Sequence, residues 1–351
     1  MTAVSNPRVR RPTRNDVARQ ANVSGWTVSN VLNGHSDVSI SDQTRRRVLE
    51  AAECLGYQPN NSARALATGR TRTIGMWMCL GYSRYRAHAL HRMQQLIKYA
   101  NFEIVVRDIE EELMKHGNPA NAFKIPVDGI VTFDTPAGAA ARRQGAAPLP
   151  IVSMGAYWSQ GGDYVGVDLR AGAVDAMRHL IDTGRRRIAH LLPSTVTEES
   201  NEPRLSAYRE TLEEAGLEPI YLYAPDLALA TSRSIVSDFI NDGGSIDAIL
   251  CHDDGMAFGA HRALSDLNVK IGQDIALIGC DGIEETEYLS PPLSAIVQPT
   301  EEMCSIAWTF LENRIQDPGR EPQQIVLKPR LAVRASTVPG VSPVELAHSS
   351  T

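Results

Sequence analysis

Apolar positions in the first quarter of the chain recur at helical spacing. Residues 15–21 carry Val17, Ala18 and Ala21; residues 24–32 carry Trp26, Val28, Val31 and Leu32; residues 41–55 carry Val48, Leu49, Ala52 and Leu55. This spacing predicts three short amphipathic helices. Gly34 and Gly56 stand just past the second and third, where a left-handed cap is wanted. From Thr73 the pattern changes. Short apolar runs, "IGMWM" (74–78), "FEIVV" (102–106), "DGIVTF" (128–133) and "PIVSM" (150–154), alternate with helical or loop segments. A second series follows: "RIAHLL" (187–192), "PIYLY" (219–223), "DAILC" (247–251) and "IALIGCD" (275–281), with helical patterns at 203–216 and 255–267. Continuous apolar runs between helices predict parallel sheets. Two such series predict an α/β body of two similar lobes with a cleft between them, and ligands in such sheets bind beyond the carboxyl ends of the strands.

The expected organisation is a basic arm at 1–12, a helix-turn-helix head at 13–59, a hinge helix and linker at 60–72, a two-lobed body at 73–338 and a tail at 339–351. Within the head, "NDVARQANVSGWTVSNVLNG" (15–34) reads as helix, tight turn at Asn22–Val23, and second helix from Ser24. Ser24 suits an N-cap because its hydroxyl can accept a first-turn N–H. Val17, Ala18, Val23, Val28 and Val31 are the expected core of the pair, which leaves Gly25, Trp26, Ser29 and Asn30 facing outward. A recognition helix of this kind fits the DNA major groove, where its first residues reach base edges. Asn30 can pair with adenine through two bonds, and Thr27 and Ser29 can bond bases or phosphates. Arg14, Arg45, Arg46 and Arg47 can neutralise phosphates.

Charge supports a division of labour. The whole chain of 351 residues has a formal charge of −6. Residues 1–73 hold 11 Arg and no Lys against 5 acidic residues, whereas the remainder holds 24 basic and 36 acidic residues. A basic head on an acidic body points to a polyanion as partner of the head alone. The five cysteines are scattered and form no C-x-x-C pair, so they read as reduced, small apolar residues with neither disulfides nor a zinc site. No apolar run reaches membrane-spanning length and no signal peptide is recognisable, so a cytoplasmic location and no membrane contact are expected. There is no Gly-rich phosphate loop, and no cofactor or metal is expected.

These stretches resemble the LacI/GalR family of bacterial transcription regulators. The matching text is "DVARQANVSGWTVSNVLNG", then "VSISDQTRRRVLEAAECLGYQPNNSARAL" and "GRTRTIG", continued in the body by "VDGIV", "VGVDLRAG", "HLIDTGRRRIAHL", "RLSAYRETLEEAGL", "DAILCHDDGMAFGAHRAL" and "IALIGCDGIEETEYLSPPLSAIVQP". The resemblance implies a homodimer, or a higher assembly, whose heads read a pseudo-palindromic operator. It also implies a hinge helix over about 61–67 that folds on DNA and enters the minor groove, with Leu66 as the wedge between base pairs. The DNA-contacting set it implies is Arg14, Ser24, Gly25, Trp26, Thr27, Ser29, Asn30, Asn33, Asn60, Ser62, Ala63 and Leu66. Two departures stand out. Many members carry Arg where this chain has Asn30, and Gly25 and Trp26 occupy positions that read bases in relatives.

In the body, a polyol site needs carboxylate acceptors, a rigid donor fork and an aromatic face. Strand ends offer Asp281, Asp253 with Asp254, Arg204, Tyr82, Tyr85 with Arg86, and Tyr157 with Trp158. By resemblance the effector-binding residues are Tyr85, Arg86, Trp158, Ser200, Arg204, Asp253 and Asp281, and Asp254 is expected to cap the helix beginning at Gly255. Asp253 replaces a usual Asn, and Arg86 stands where a second aromatic is frequent; both suggest a ligand more polar than a simple hexose. The reading is a repressor whose operator affinity responds to a sugar or related polyol held between the lobes. Rival readings are control by a protein co-regulator, an exported binding protein, and an enzyme using "CHDD" (251–254). The missing leader and basic head speak against export; consecutive ligands pointing in different directions speak against catalysis.

Overall fold

The computed structural model describes residues 12–32, 39–57, 69–79, 83–109, 125–135, 149–157, 161–197 and 202–340. The chain divides into a head, residues 1–71, and a body, residues 72–351.

In the head, α1 (Arg14–Ala21) starts at Thr13, whose backbone N–H and hydroxyl both donate to Asp16 Oδ2, at 2.8 and 2.7 Å. It ends at Asn22 in the left-handed conformation (φ 51°), from which Val23 N–H returns to Ala18 O. This is the expected tight turn, and Asn tolerates it because its short polar side chain suits that region. Then α2 (Gly25–Leu32) begins, with Ser24 Oγ accepting from Thr27 N–H at 3.1 Å. The third helix, α3 (Asp42–Leu55), runs from a Ser41 cap to Gly56 at φ 61°. Val17, Ala18, Ala21, Val28, Val31, Val48, Ala51 and Ala52 form the small core, with Val23 only partly buried beside it. Leu49, expected on the inner face of α3, is exposed.

The body contains two six-stranded sheets. The first runs through β1 (Thr73–Met78), β2 (Glu103–Asp108), β3 (Gly129–Phe133), β4 (Ile151–Gly155) and β5 (Asp163–Val167), with α4 (Arg84–Tyr99) after β1. The chain then crosses at Asp168, which caps α5 (Leu169–Asp182) through Ala171 N–H. The second lobe follows as β6 (Ile188–Pro193), α6 (Pro203–Ala215), β7 (Ile220–Ala224), α7 (Leu229–Asn241), β8 (Ala248–Cys251), α8 (Asp254–Asp266), β9 (Ala276–Asp281), a 3-10 turn (Glu284–Tyr288) and β10 (Ser294–Val297). A second crossing at Gln298 and Pro299 leads back to α9 (Thr300–Gln316), which packs on β3, β4 and β5, and to β11 (Gln324–Leu327); a third leads to β12 (Arg330–Ala332). Strand order is β11-β5-β4-β3-β1-β2 in one sheet and β12-β10-β9-β8-β6-β7 in the other.

The sheets are parallel as expected, every described pairing being parallel except β10 with β12, which is antiparallel. Parallel strands buried on both faces need long apolar runs, as β3, β4, β6 and β8 show with every residue buried. Residues that follow β1 in the first sheet and β8 and β9 in the second bound one pocket. No described helix is long and apolar enough to cross a membrane.

Candidate functional sites: the second head helix and the interlobe cleft

The outward face of α2 carries Gly25, Trp26, Ser29 and Asn30. Trp26 is 62% exposed, whereas Val28 and Val31 on the opposite face are buried. Arg14 Nη1 donates to Ser29 Oγ at 3.3 Å, Ser24 and Thr27 hydroxyls are 2.9 Å apart, and Asn30 Nδ2 donates to Trp26 O at 2.9 Å. The Asn30 amide expected to read adenine is thus folded back on its own helix. Arg14, Ser24, Gly25, Trp26, Thr27, Ser29 and Asn30 lie together along α2 and its flank. Asn33, Asn60, Ser62, Ala63 and Leu66, with the 61–67 hinge segment, lie outside the described residues.

In the body, Pro203 at the first turn of α6 and Glu202 before it start the helix: Glu202 Oε2 accepts from Leu205 N–H at 2.8 Å. The other oxygen, Oε1, accepts from Arg204 Nε at 2.7 Å and from the Tyr157 hydroxyl at 3.2 Å. Arg204 Nη1 donates to His252 O at 2.6 Å, and Nη2 donates to Tyr157 OH at 3.1 Å. Arg204 Nη2 also lies 2.9 Å from His252 Nε2; a guanidinium only donates, so that ring nitrogen accepts. Burial and the Arg204 charge both push His252 well below its ordinary pKa, consistent with a neutral acceptor ring. Burial raises the Glu202 pKa, but the Arg204 charge and bonds outweigh it and hold the carboxyl below its usual range.

Asp281 ends β9 at φ 124°, outside the regions that L-residues favour. Its Oδ1 accepts from Gln298 Nε2 at 2.8 Å, and Gln298 Oε1 accepts from Tyr85 OH at 2.9 Å. One glutamine at a crossing therefore ties α4 of the first lobe to β9 of the second. Arg84 adds a further tie, from Nε to Glu285 Oε1 at 3.0 Å, with its guanidinium 5.7 Å from the Phe258 ring centre.

The helix cap expected at Asp254 falls to its neighbour. Asp253 caps α8, accepting from Met256 N–H at 2.7 Å. Asp254 is the first helical residue; its Oδ2 accepts from Gly282 and Ile283 N–H at 2.7 and 2.9 Å and braces the end of β9. Its Oδ1 is buried and has no hydrogen-bond partner. Burial raises the pKa of Asp253 and, with repulsion from the neighbouring carboxylates, that of Asp281 to well above the ordinary value; Asp254 rises to about 7. In the first lobe Asp134, at the end of β3, accepts from Ala156 N–H at 2.7 Å, and burial raises its pKa while the charge of half-buried Arg86 pulls it down.

Tyr85, Arg84, Asp253, Asp254, Phe258 and Asp281 are among the residues bounding a pocket with about 380 Å³ of atom-free space, part of it open solvent. Of the expected residues, Tyr85, Asp253 and Asp281 bound this pocket, while Arg204 is buried against Glu202, His252 and Tyr157. Trp158 and Ser200 lie outside the described residues. Sequence reasoning did not single out Glu202, Gln298, Asp134 or Phe258, and met His252 only within the "CHDD" stretch. The Glu-Pro pair at a helix start was a usable signal for Glu202; the others depend on long-range placement. Acceptors in pairs, a donor fork and two rings suit a polyhydroxylated ligand.

A helix-turn-helix head in one chain with a two-lobed body of this topology defines a class, the DNA-binding regulators built on a binding-protein fold. Residues 13–60 match the bacterial regulatory proteins of the lacI family, and residues 177–337 match the periplasmic binding protein-like domain. The chain thus joins a helix-turn-helix domain of the lacI family of bacterial regulatory proteins to a periplasmic binding protein-like domain. It is 28% identical over 328 residues to the ribose operon repressor of Haemophilus influenzae, covering 92% of this chain and 98% of the relative. Its fold is that of the lac repressor dimer bound to operator and the anti-inducer ONPF (TM-score 0.76, 23% identity, 94% of this chain and 100% of that one). It is also similar to the transcriptional regulator CelR in complex with cellobiose (TM-score 0.62, 27% identity, 93% and 100% covered).

Proposed function

We propose that this chain is a repressor that binds a pseudo-palindromic operator as a homodimer, and that a carbohydrate held between the lobes sets its operator affinity. The observation that carries the ligand reading is the cleft itself. Asp253 and Asp281 from one lobe and Tyr85 from the other bound it, and ties between the lobes run through Tyr85–Gln298–Asp281 and through Arg204–Tyr157 beside it. A ligand that takes over bonds from Gln298 or Tyr157 changes how the lobes are held. Such a ligand shifts the equilibrium between two lobe arrangements by its differential affinity for them, and no further. The names of the ribose operon repressor and of the CelR–cellobiose complex support a sugar as the ligand class.

In the head, α2 lies in the major groove, its first turn at the base edges, while Arg14, Arg45, Arg46 and Arg47 meet phosphates. Leu66 enters the minor groove as a wedge, with Asn60, Ser62 and Ala63 beside it and Asn33 at the end of the recognition segment. In the body, Trp158 and Ser200 complete the ligand contacts. Release of DNA on ligand binding is the expected sign.

The test is a thermal-shift screen of the full chain against pentoses, hexoses, disaccharides and polyols. A ligand that binds only the folded state raises the melting temperature by mass action, about 2.7 kcal/mol of stabilisation at 100 times its Kd. A sugar that shifts wild type and not Asp281→Asn supports the cleft. A panel with no shift rejects the carbohydrate.

A further inference from the structure

The first turn of α2 carries an aromatic ring that nothing in the head needs. Trp26 is the second residue of the helix and is 62% exposed, while Val17, Val28 and Val48 close the core without it. Among the described residues the indole has no hydrogen-bond partner or ring contact. Its polar neighbours are engaged within the head: Ser24 with Thr27, Ser29 with Arg14, and the Asn30 amide with the Trp26 carbonyl. Gly25 beside it adds no side chain of its own. A Cβ at Gly25 would stand 3.3 Å from Arg14 Nε, so the glycine leaves room for Arg14 along the start of the helix. The indole is thus the projecting group of this turn.

Major-groove base edges present hydrogen-bonding groups and one apolar feature, the C5-methyl group of thymine. An indole offers a large apolar face with a single N–H donor. We propose that Trp26 reads the C5-methyl group of a pyrimidine, and so is a specificity-determining residue of the head. The proposal rests on the DNA-binding reading above. Thymine and 5-methylcytosine share this chemistry, and the test separates them.

The full chain is used to select its binding site from a random duplex library. Each thymine of the selected half-site is then replaced singly by deoxyuridine, and each cytosine by 5-methylcytosine. At one symmetric position wild type loses about fourfold in affinity on thymine-to-uracil replacement, the equivalent of one buried methyl-sized group. Alternatively it gains about as much on cytosine methylation, which makes methylcytosine the source. Trp26→Ala loses that discrimination and Trp26→Phe keeps it; the exposed position leaves the fold intact in both. The proposal is overturned if no methyl changes affinity, or if the sensitivity survives in Trp26→Ala. It is equally overturned if 7-deazaguanine replacement, and no methyl change, separates wild type from Trp26→Ala, since the contact then belongs to the indole N–H. Failure to select any sequence rejects the DNA-binding reading itself, and the proposal with it.

Discussion

Glu202 and Arg204 form an ion pair inside the body, and the carboxylate that holds the guanidinium also caps the helix that carries it. Both side chains are nearly inaccessible to water. Removing one partner of such a pair leaves an uncompensated buried charge, at a cost of about 3–5 kcal/mol. Arg204→Ala is therefore expected to lower thermal stability markedly, and Arg204→Ala combined with Glu202→Gln to recover part of the loss. Strictly additive losses in unfolding experiments would show that the two residues do not act as a pair.

Stability should also depend on pH through the carboxylates beneath the cleft. The Asp254 pKa rises from 3.8 to about 7 on folding, burial being the first cause. Its raised value gives a contribution that is full below about 4 and is lost as pH rises through 7. Asp253, Asp281 and Asp134 shift in the same direction. Glu202 shifts the other way, so its contribution is present at neutral pH and is lost as pH falls through its lowered value. The melting temperature of Asp254→Asn should fall less than that of wild type between pH 5 and 8. An identical slope in the two proteins would remove Asp254 as the cause.

Gly155 ends β4 at φ 107°, and a Cβ there would lie 2.1 Å from Asp134 Oδ1. Gly155→Ala must strain the backbone and displace the carboxylate that accepts from Ala156. A loss of about 2 kcal/mol is expected in denaturant unfolding, the scale of one strained backbone position. A change below about 0.5 kcal/mol would mean the strand end relaxes freely.

The Tyr85 hydroxyl reaches Asp281 only through Gln298. Tyr85→Phe deletes one buried hydrogen bond, worth about 1 kcal/mol. It is expected to weaken ligand binding roughly fivefold by that free energy, while operator binding without ligand changes less. Unaltered ligand affinity, measured by calorimetry, would place the Tyr85–Gln298 bond outside the coupling.

Leu66→Ala should reduce operator affinity at least about tenfold, since an inserted apolar wedge sustains the bend that brings protein and DNA together. Ligand binding should be retained. Full DNA affinity in this variant would dismiss the wedge.

Elements held by local chemistry were legible in the sequence. The Asn22 turn, the Ser24 start of α2 and the Gly56 cap depend on neighbours a few residues away, and the apolar runs of β1, β3, β6 and β8 carry their own burial. The strands left unread depend on distant partners. β5 opens on Asp163, a buried carboxylate that is stable there because Arg314 donates to both its oxygens from 151 residues away. β11 exposes Ile325 and Val326 and pairs only along one edge with β5. Arg204 in the first turn of α6 and Asp281 at the end of β9 stand where the sequence pattern puts them. That Asp253 and not Asp254 caps α8 was not readable, because adjacent carboxylates differ only in which backbone N–H groups the fold brings to them. Gln298 escaped for a related reason: its role comes from lying at a crossing between lobes.

The most direct test is an anisotropy titration of the selected operator against the full chain, with and without each sugar of the panel, in wild type, Arg204→Ala and Asp281→Asn. The account predicts that at least one sugar shifts the wild-type operator Kd about tenfold, a coupling of about 1.4 kcal/mol, and that both variants bind operator without that shift. A panel that leaves the wild-type Kd unchanged, or a shift of equal size in both variants, would contradict a carbohydrate acting through this cleft.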